Sequence, residues 1–133
     1  EDIKGYSKKG KKILGICLGM QLLTESSVEI KKTIGLNKIP GKIVKIKKEK
    51  FNIGWRKIKI QIGSFLSEFD NKYFYFQHQY MYRGPKKYTI SVVNESEKIP
   101  AIILKNNFIG VQFHPEKSQQ NGLNFLDFIV EKF

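Results

Sequence analysis

The sequence predicts an α/β fold whose core carries an antiparallel insertion or edge. The first observation is an early strand–helix unit, in which an apolar run at residues 11–16 precedes an apolar stripe of helical spacing that extends to about residue 30. The second is a series of strand candidates after residue 42, mostly without helices between them. The third is an amphipathic helix from residue 121 to the C-terminus. One βα unit followed by successive strands favours a mixed architecture.

The remaining elements follow in chain order. Residues 1–10 are polar and Lys-rich, which is typical of a helix end and a loop. The strand candidates either alternate apolar and polar residues or are aromatic and β-branched, and turn residues separate them. They cover residues 42–48, 57–62, 73–76, 88–93, 101–104 and 108–113, with a loop or short strand at 51–56 and a helical turn at 65–69.

The composition fits a single domain over residues 1–133. Apolar residues make up 41% of the sequence, which is enough for a hydrophobic core. No apolar run approaches the roughly 18 residues that would cross a membrane, and the start has no signal-peptide pattern. The single cysteine, Cys17, cannot form an internal disulfide. We therefore expect a cytoplasmic protein that does not associate with membranes.

The charge balance is strongly basic, because Lys and Arg outnumber Asp and Glu by 24 to 12. Such a balance permits nucleic-acid binding. We do not expect it here, since the lysines are spread along the chain and arginine occurs only at Arg56 and Arg83. An anionic, phosphate-bearing substrate or an acidic partner subunit accounts for the charge at least as well.

Cys17 lies between Gly15 and Gly19 in the pattern G-x-C-x-G, which is the spacing of a nucleophile elbow. A strand delivers the residue to the edge of a sheet, and a sharp turn projects its side chain. We expect both glycines to remove side chains that would clash in that turn. The N-terminus of the following helix is expected to direct partial positive charge at the sulfur and to favour the thiolate. The alternative is a buried, inert cysteine at a strand end.

A cysteine nucleophile needs a base, and His114 is the better candidate of two. It follows an apolar, aromatic-rich strand candidate, and strand ends are where α/β folds place their sites. In the run His114-Pro115-Glu116, the proline fixes the turn. Glu116 can then hold one ring nitrogen and leave the other to face Cys17. The alternative is a surface loop with an incidental histidine and glutamate.

His78, the second candidate, also follows an aromatic strand candidate. It lies beside Gln77, Gln79 and Tyr80, and no carboxylate is close in sequence. We therefore interpret His78 as a structural histidine packed on aromatic rings. Gln79 and Tyr80 remain candidates for the lining of the same pocket.

Two segments carry a family resemblance. Residues 15–21 (G-I-C-L-G-M-Q) and 110–118 (G-V-Q-F-H-P-E-K-S) resemble the two signatures of class I, or triad, glutamine amidotransferases. Further matches resemble the glutaminase subunit of imidazole glycerol phosphate synthase, and they fall at residues 35–36, 39–41, 52–55 and 73–78. The resemblance covers nearly the whole chain.

The resemblance implies a three-layer, flavodoxin-like fold with a largely parallel central sheet plus antiparallel strands. Chains of the family normally begin with further βα units and a glycine-rich loop that supplies part of the oxyanion hole. This sequence has no such segment, so we expect it to represent the C-terminal two-thirds of the family's domain. Losing one preorganised donor lowers rates by about 10²–10³. The chain alone is therefore expected to be slow or inactive.

The resemblance also implies a reaction. Cys17 attacks the side-chain carboxamide of L-glutamine, His114 relays protons, and Glu116 orients His114. Glutamine is thereby hydrolysed to glutamate and ammonia through a glutamyl thioester. The backbone N–H of Leu18, the residue after the nucleophile, is implied as an oxyanion donor. No metal or redox cofactor is implied.

Substrate contacts are implied at Gly19, at Gln21 and in the segment His78-Gln79-Tyr80, whose main-chain groups would face the amino-acid end of glutamine. Two positions depart from the family pattern. Gln79 stands where the family usually has a small hydroxyl residue, and a bulkier side chain here could narrow the pocket. Ile53 stands where the family usually has methionine, which is a mild apolar exchange.

The implied partner is a (β/α)8-barrel cyclase subunit, which forms a heterodimer with the glutaminase and receives ammonia through a tunnel. The product there is imidazole glycerol phosphate, in histidine biosynthesis. Two alternatives stay open. One is a paralogous subunit that feeds ammonia to the amidation of a surface sugar. The other is a truncated, non-catalytic chain that binds its partner subunit without turnover.

Overall fold

The computed structural model describes residues 2–29, 31–47, 52–93 and 98–133. Within these ranges the helices are α1 (Ile3–Lys8), α2 (Leu18–Leu22) and α3 (Gln119–Lys132). The strands are β1 (Ile13–Ile16), β2 (Ser26–Ser27), β3 (Thr33–Ile34), β4 (Lys42–Lys45), β5 (Asn52–Ile60), β6 (Tyr73–His78), β7 (Tyr80–Arg83), β8 (Thr89–Val93), β9 (Ile99–Lys105) and β10 (Phe108–Val111). Short 3-10 helices lie at Ser67–Phe69, Lys86–Tyr88 and Pro115–Lys117.

The main sheet holds six of the described strands in the order β1-β10-β9-β8-β5-β6. Strand β1 runs parallel to β10, with Ile16 opposite Val111. Every other neighbouring pair in this sheet is antiparallel. Because β1 and β10 are parallel, the residues that follow them emerge at the same edge of the sheet.

The α/β class is confirmed, but the expected largely parallel central sheet is not what the described strands form. Their only parallel pair in the main sheet is β1–β10. The reason is connection length. A parallel pair needs a long crossover, whereas β9 and β10 are joined by a two-residue turn at Asn106 and Asn107. Asn106 has a φ of 54°, a conformation that such tight turns require.

A second, four-stranded sheet forms over the described residues in the order β3-β2-β4-β7. Strand β7, which begins at Tyr80, was not predicted from the sequence, and it pairs antiparallel to β4 with Met81 opposite Val44. This sheet positions the segment after His78, because the backbone N–H of Ile46 donates to the carbonyl of Gln79 (3.0 Å).

The helix expected from residue 18 to about residue 30 is wrong in length, since α2 ends at Leu22. The hydroxyl of Thr24 donates to the carbonyl of Gln21 (2.7 Å), which competes with helical hydrogen bonding. Ser26 and Ser27 then pair with β4. The predicted end of this helix at Ile30 lies outside the described residues.

Other predicted boundaries shift by a few residues. The segments at 51–56 and 57–62 form one continuous strand, β5, which runs from Asn52 to Ile60. Residues 1–10 contain the short helix α1 rather than a helix end alone. The expected strand end at Lys48 and the loop start at Phe51 lie outside the described residues.

An aromatic core fixes the site's elements to each other. Phe74 of β6 stacks on Phe113 with ring centroids 4.2 Å apart, and Phe113 meets Phe125 of α3 edge-on at 5.2 Å. All three rings are fully buried. The burial of large apolar rings is a dominant contribution to folding stability. Phe113, the residue directly before His114, is therefore held between β6 and α3. None of the helices within the described ranges has the length and apolar composition of a membrane-spanning segment.

Candidate active site

Cys17 occupies a strained turn between β1 and α2. Its φ of 48° and ψ of −105° lie in a region that residues other than glycine rarely adopt. The turn is held on both sides, because the backbone N–H of Cys17 donates to the carbonyl of Val111 (2.8 Å) and the Gln21 N–H donates to the Cys17 carbonyl (3.2 Å). This geometry is that of a nucleophile elbow, as the sequence pattern predicts.

The two glycines of the elbow differ in what they do. A Cβ on Gly15 would lie 2.6 Å from the carbonyl oxygen of Gly19, so only glycine fits there. A Cβ on Gly19 would meet no atom within 4 Å, and its φ is not positive. The expectation that both glycines prevent a clash in the turn therefore holds for Gly15 and is wrong for Gly19.

The sulfur is partly buried, and its pKa is raised from the ordinary thiol value, with burial as the largest cause. The backbone N–H of Leu18 and the side chain of Gln112 lower that pKa, while the charges of Glu29 and Glu116 raise it. The start of α2 favours the thiolate as expected, through the backbone N–H of Leu18, but burial outweighs this effect and the pKa stays above the ordinary value. Cys17 needs a base.

His114 and Glu116 form the predicted pair. His114 Nδ1 lies 2.6 Å from Glu116 Oε1. The carboxylate can only accept, so Nδ1 carries the proton and Nε2 is left to act as the base. The 3-10 turn at Pro115–Lys117 brings the two side chains together. The backbone N–H of His114 donates to the Tyr75 carbonyl (2.9 Å), which ties this turn to β6.

Ser118 supports this turn, and the sequence reasoning assigned it no role. Its hydroxyl donates to the His114 carbonyl (2.6 Å) and accepts from the Tyr75 backbone N–H (2.9 Å). Gly122 allows α3 to pack against the turn, since a Cβ there would lie 1.8 Å from the Pro115 carbonyl oxygen. The sequence signal that could have identified Ser118 is its position as the last residue of the second family signature, residues 110–118.

His78 is a structural histidine, as expected. It is buried, its Nε2 accepts from the Asn52 side chain (2.8 Å), and its Nδ1–H donates to the Tyr80 carbonyl (2.5 Å). Burial, with a smaller contribution from the nearby His114, lowers the pKa of His78 to about 4. The ring is therefore neutral at pH 7, with both nitrogens engaged. Asn52 is a second supporting residue that the sequence reasoning missed, since β-strand asparagines carry no general signal.

The remaining predicted site residues lie in two segments, on α2 and directly after β6. Leu18, Gln21 and Leu22 line a largely apolar cavity of about 200 Å³, together with residues of the loop around β3. The side-chain oxygen of Gln21 is buried and has no hydrogen-bond partner in the described ranges. Gln79 is exposed and Tyr80 is half-buried. In the described residues, no group of His, Cys, Asp and Glu side chains is arranged to hold a metal ion.

The structure thus gathers Cys17, His114, Glu116 and His78 at one edge of the main sheet. The backbone N–H of Cys17 donates to Val111 of β10, and the backbone N–H of His114 donates to Tyr75 of β6, the strand that ends at His78. The parallel β1–β10 pair produces this juxtaposition, because Cys17 directly follows β1 and His114 follows β10 by three positions. Nucleophile, base and orienting acid in this order are the components of an acyl-transfer triad.

The profile of the family "Glutamine amidotransferase class-I" matches residues 1–130. The chain belongs to this family. Among its relatives, imidazole glycerol phosphate synthase subunit HisH of Listeria monocytogenes serotype 4a (strain HCC23) is 42% identical over 129 residues. The same-named subunit of Caldanaerobacter subterraneus subsp. tengcongensis is 43% identical over 131 residues. These alignments cover 93% and 95% of this chain but only 62% and 64% of the relatives, so the chain spans less than two thirds of their length.

Solved structures of glutamine amidotransferases share the fold. A glutamine amidotransferase crystal structure superposes with a TM-score of 0.71 at 11% identity, covering 96% of this chain and 65% of that chain. A glutamine amidotransferase from Thermotoga maritima gives a TM-score of 0.65 at 20% identity, covering 97% of this chain and 51% of that one. The mixed α/β architecture of the family is therefore confirmed.

Proposed function

We propose that the protein carrying this chain hydrolyses L-glutamine to glutamate and ammonia through the triad Cys17, His114 and Glu116. The observation that carries this proposal is the strained Cys17 elbow at the end of β1, beside the strand whose continuation holds His114 against Glu116. Membership of the class-I glutamine amidotransferase family supports the choice of substrate. Residues 1–133 then act as one domain, in the cytoplasm.

In the first half-reaction, His114 Nε2 takes the proton of the Cys17 thiol. This step is necessary because the pKa of Cys17 is raised by burial. The sulfur attacks the carboxamide carbon of glutamine, and the Leu18 N–H stabilises the negative oxygen of the tetrahedral intermediate. His114 returns the proton to the leaving nitrogen, so that ammonia departs and a glutamyl thioester remains on Cys17.

In the second half-reaction, His114 takes a proton from water, which attacks the thioester carbonyl. Glutamate leaves, and Cys17 regains its proton. Glu116 stabilises the positive charge that His114 carries in both halves. Gln21 and the main chain of the segment His78-Gln79-Tyr80 bind the substrate, and the open space beside Gly19 leaves room for it.

The proposed partner is a (β/α)8-barrel cyclase subunit that uses the ammonia to make imidazole glycerol phosphate in histidine biosynthesis. The relatives named as imidazole glycerol phosphate synthase subunits support this assignment at 42–43% identity. The excess of basic residues is compatible with an acidic partner surface. No nucleic acid, metal or redox cofactor enters the reaction.

The test is Cys17→Ala in the intact protein assembled with its cyclase partner. We expect glutamine-dependent product formation to fall by at least about 10⁴-fold, because triad members act as a unit. Synthesis from added ammonium salt should stay at the unsubstituted level, since the cyclase site is untouched. Glutamine use that survives the substitution would refute Cys17 as the nucleophile.

The identity of the acceptor needs its own measurement. Ammonia transfer by the unsubstituted complex is assayed with two acceptors separately. One is the phosphoribulosyl-formimino intermediate, from which the cyclase would make imidazole glycerol phosphate, and the other is a sugar. We expect transfer to the first acceptor only. Transfer confined to the sugar would overturn the histidine assignment while leaving the glutaminase proposal intact, and glutamine hydrolysis absent with both would overturn the glutaminase proposal.

A further inference from the structure

Gln112 is a buried polar residue for which the mechanism above has no use. It follows β10 directly and precedes His114 by two positions, and its exposed fraction is 0%. Its backbone N–H donates to the Ala101 carbonyl (2.9 Å), which fixes the residue at the end of the β9–β10 ladder. A carboxamide buried this completely is costly unless it is hydrogen-bonded. Its side-chain contacts therefore indicate what keeps it there.

The Gln112 carboxamide is directed at the nucleophile. Its Nε2 donates to Cys17 Sγ over 3.8 Å. Its Oε1 is buried and has no hydrogen-bond partner within the described ranges. Over the same ranges, the contact to sulfur is the only hydrogen bond that the Gln112 side chain makes. Within the described residues, the Gln112 carboxamide thus makes one of its possible hydrogen bonds, and that bond is to Cys17.

We propose that Gln112 is a positioning residue for Cys17, whose carboxamide N–H orients the sulfur and stabilises its negative charge once His114 has taken the proton. This role rests on the proposed function of Cys17 as nucleophile. It makes Gln112 the side-chain counterpart of the Leu18 N–H, which reaches the same sulfur from the start of α2.

The charges around the sulfur explain why a neutral donor is useful there. Glu29 and Glu116 both raise the pKa of Cys17, and burial raises it more. Gln112 opposes all three effects without adding a charge that would compete with His114 for Glu116. A donor to a charged acceptor stabilises more strongly than one to a neutral acceptor. Gln112 therefore stabilises the thiolate more than it stabilises the thiol.

The experiment measures the alkylation of Cys17 by iodoacetamide against pH in the intact protein. The extent is quantified on the tryptic peptide of residues 13–31, which contains this cysteine whatever other cysteines the protein has. Two variants remove the donor differently. Gln112→Met keeps the length without an N–H, and Gln112→Asn keeps the amide but shortens it by one methylene.

For both variants we expect the alkylation midpoint to rise by about one pH unit, and the rate at pH 7 to fall about tenfold. The matched control is Ser91→Ala. Ser91 is also buried, and its side-chain oxygen has no partner within the described ranges, but it lies on β8, which β9 separates from β10. Its alkylation midpoint should not move. A midpoint that is also unchanged in the folded Gln112 variants would overturn the proposal.

A readout without substitution covers the case in which both variants fail to fold. The side-chain amide resonances of Gln112 in the unsubstituted protein should shift with the Cys17 titration, and amide resonances that stay constant would also overturn the proposal. Glutamine hydrolysis is measured in parallel. Full turnover by the Gln112 variants with an unshifted alkylation midpoint refutes the role of Gln112 alone. A shifted midpoint in the variants, together with no glutaminase activity in the unsubstituted protein, refutes the proposed function alone.

Discussion

At the scale of single residues, opposite surroundings give the two histidines different roles. His114 Nδ1 is held by a carboxylate and, among the described residues, its Nε2 has no hydrogen-bond partner, while His78 is buried with both nitrogens bonded. The sequence separates them by one feature, the carboxylate two positions after His114, and the structure places that carboxylate 2.6 Å from His114 Nδ1. Sequence reasoning could not find Gln112, because the contact of its side chain with Cys17 depends on the pairing of β1 with β10.

The burial of His78 predicts a specific pH dependence of stability. Its pKa is about 4 when folded and about 6.5 when unfolded. The unfolded chain therefore takes up a proton below pH 6.5 that the folded ring still refuses, and protonation favours unfolding. The contribution of the neutral ring is complete above pH 6.5 and is lost as the pH falls towards 4. At pH 4.5 the expected loss is about 2–3 kcal/mol relative to pH 7.

Urea unfolding at pH 7 and pH 4.5 measures this loss, with His78→Asn as the comparison. The variant should be less stable at pH 7, because it loses the hydrogen bonds to Asn52 and Tyr80. The free energy of unfolding of the variant should fall less between pH 7 and pH 4.5. The difference from the unsubstituted protein should equal the loss of about 2–3 kcal/mol attributed to the His78 ring. Equal declines in both proteins would show that His78 is not the titrating group.

At the scale of elements, the site depends on how closely α2 approaches β1. The contact is made at Gly15, where the backbone of α2 occupies the space of a side chain. Sequence patterns placed the strand and the elbow correctly but made α2 too long, because apolar spacing alone cannot register that Ser26 and Ser27 pair with β4. The same limit applies to β7, whose partner strand lies far away in sequence.

The contact between α2 and β1 predicts opposite outcomes for two similar substitutions. Gly15→Ala should destabilise the protein by about 2–4 kcal/mol or displace the elbow, because the added Cβ would meet backbone atoms. Gly19→Ala should change stability by less than about 1 kcal/mol, since its Cβ enters open space. Thermal melts of the two variants compare them directly.

The glutaminase assay adds a second comparison, because the space beside Gly19 is where we place the substrate. Gly19→Ala should raise KM for glutamine while the protein stays folded. If Gly19→Ala were as destabilising as Gly15→Ala, the described packing of the elbow would be wrong. If KM were unchanged, Gly19 would not belong to the substrate pocket.

At the scale of the whole molecule, one parallel strand pair unites two signatures that are far apart in sequence. The strands β1 and β10, which precede Cys17 and His114, lie in register with Ile16 opposite Val111. The aromatic core of Phe74, Phe113 and Phe125 then fixes the second signature against β6 and α3. Sequence patterns predicted the α/β class, which the structure confirms, and the contact between His114 and Glu116. They did not predict the mostly antiparallel order of the described sheet, because strand partners are set by long-range packing.

The central claim is that Cys17 carries the glutamyl group during turnover. The most direct measurement is an acid quench of the intact protein during turnover of radiolabelled L-glutamine, followed by mapping of the label. We expect label on the tryptic peptide of residues 13–31, released by hydroxylamine as a thioester and absent from Cys17→Ala. Steady glutamine hydrolysis with no label on that peptide, or label that persists in Cys17→Ala, would contradict the claim.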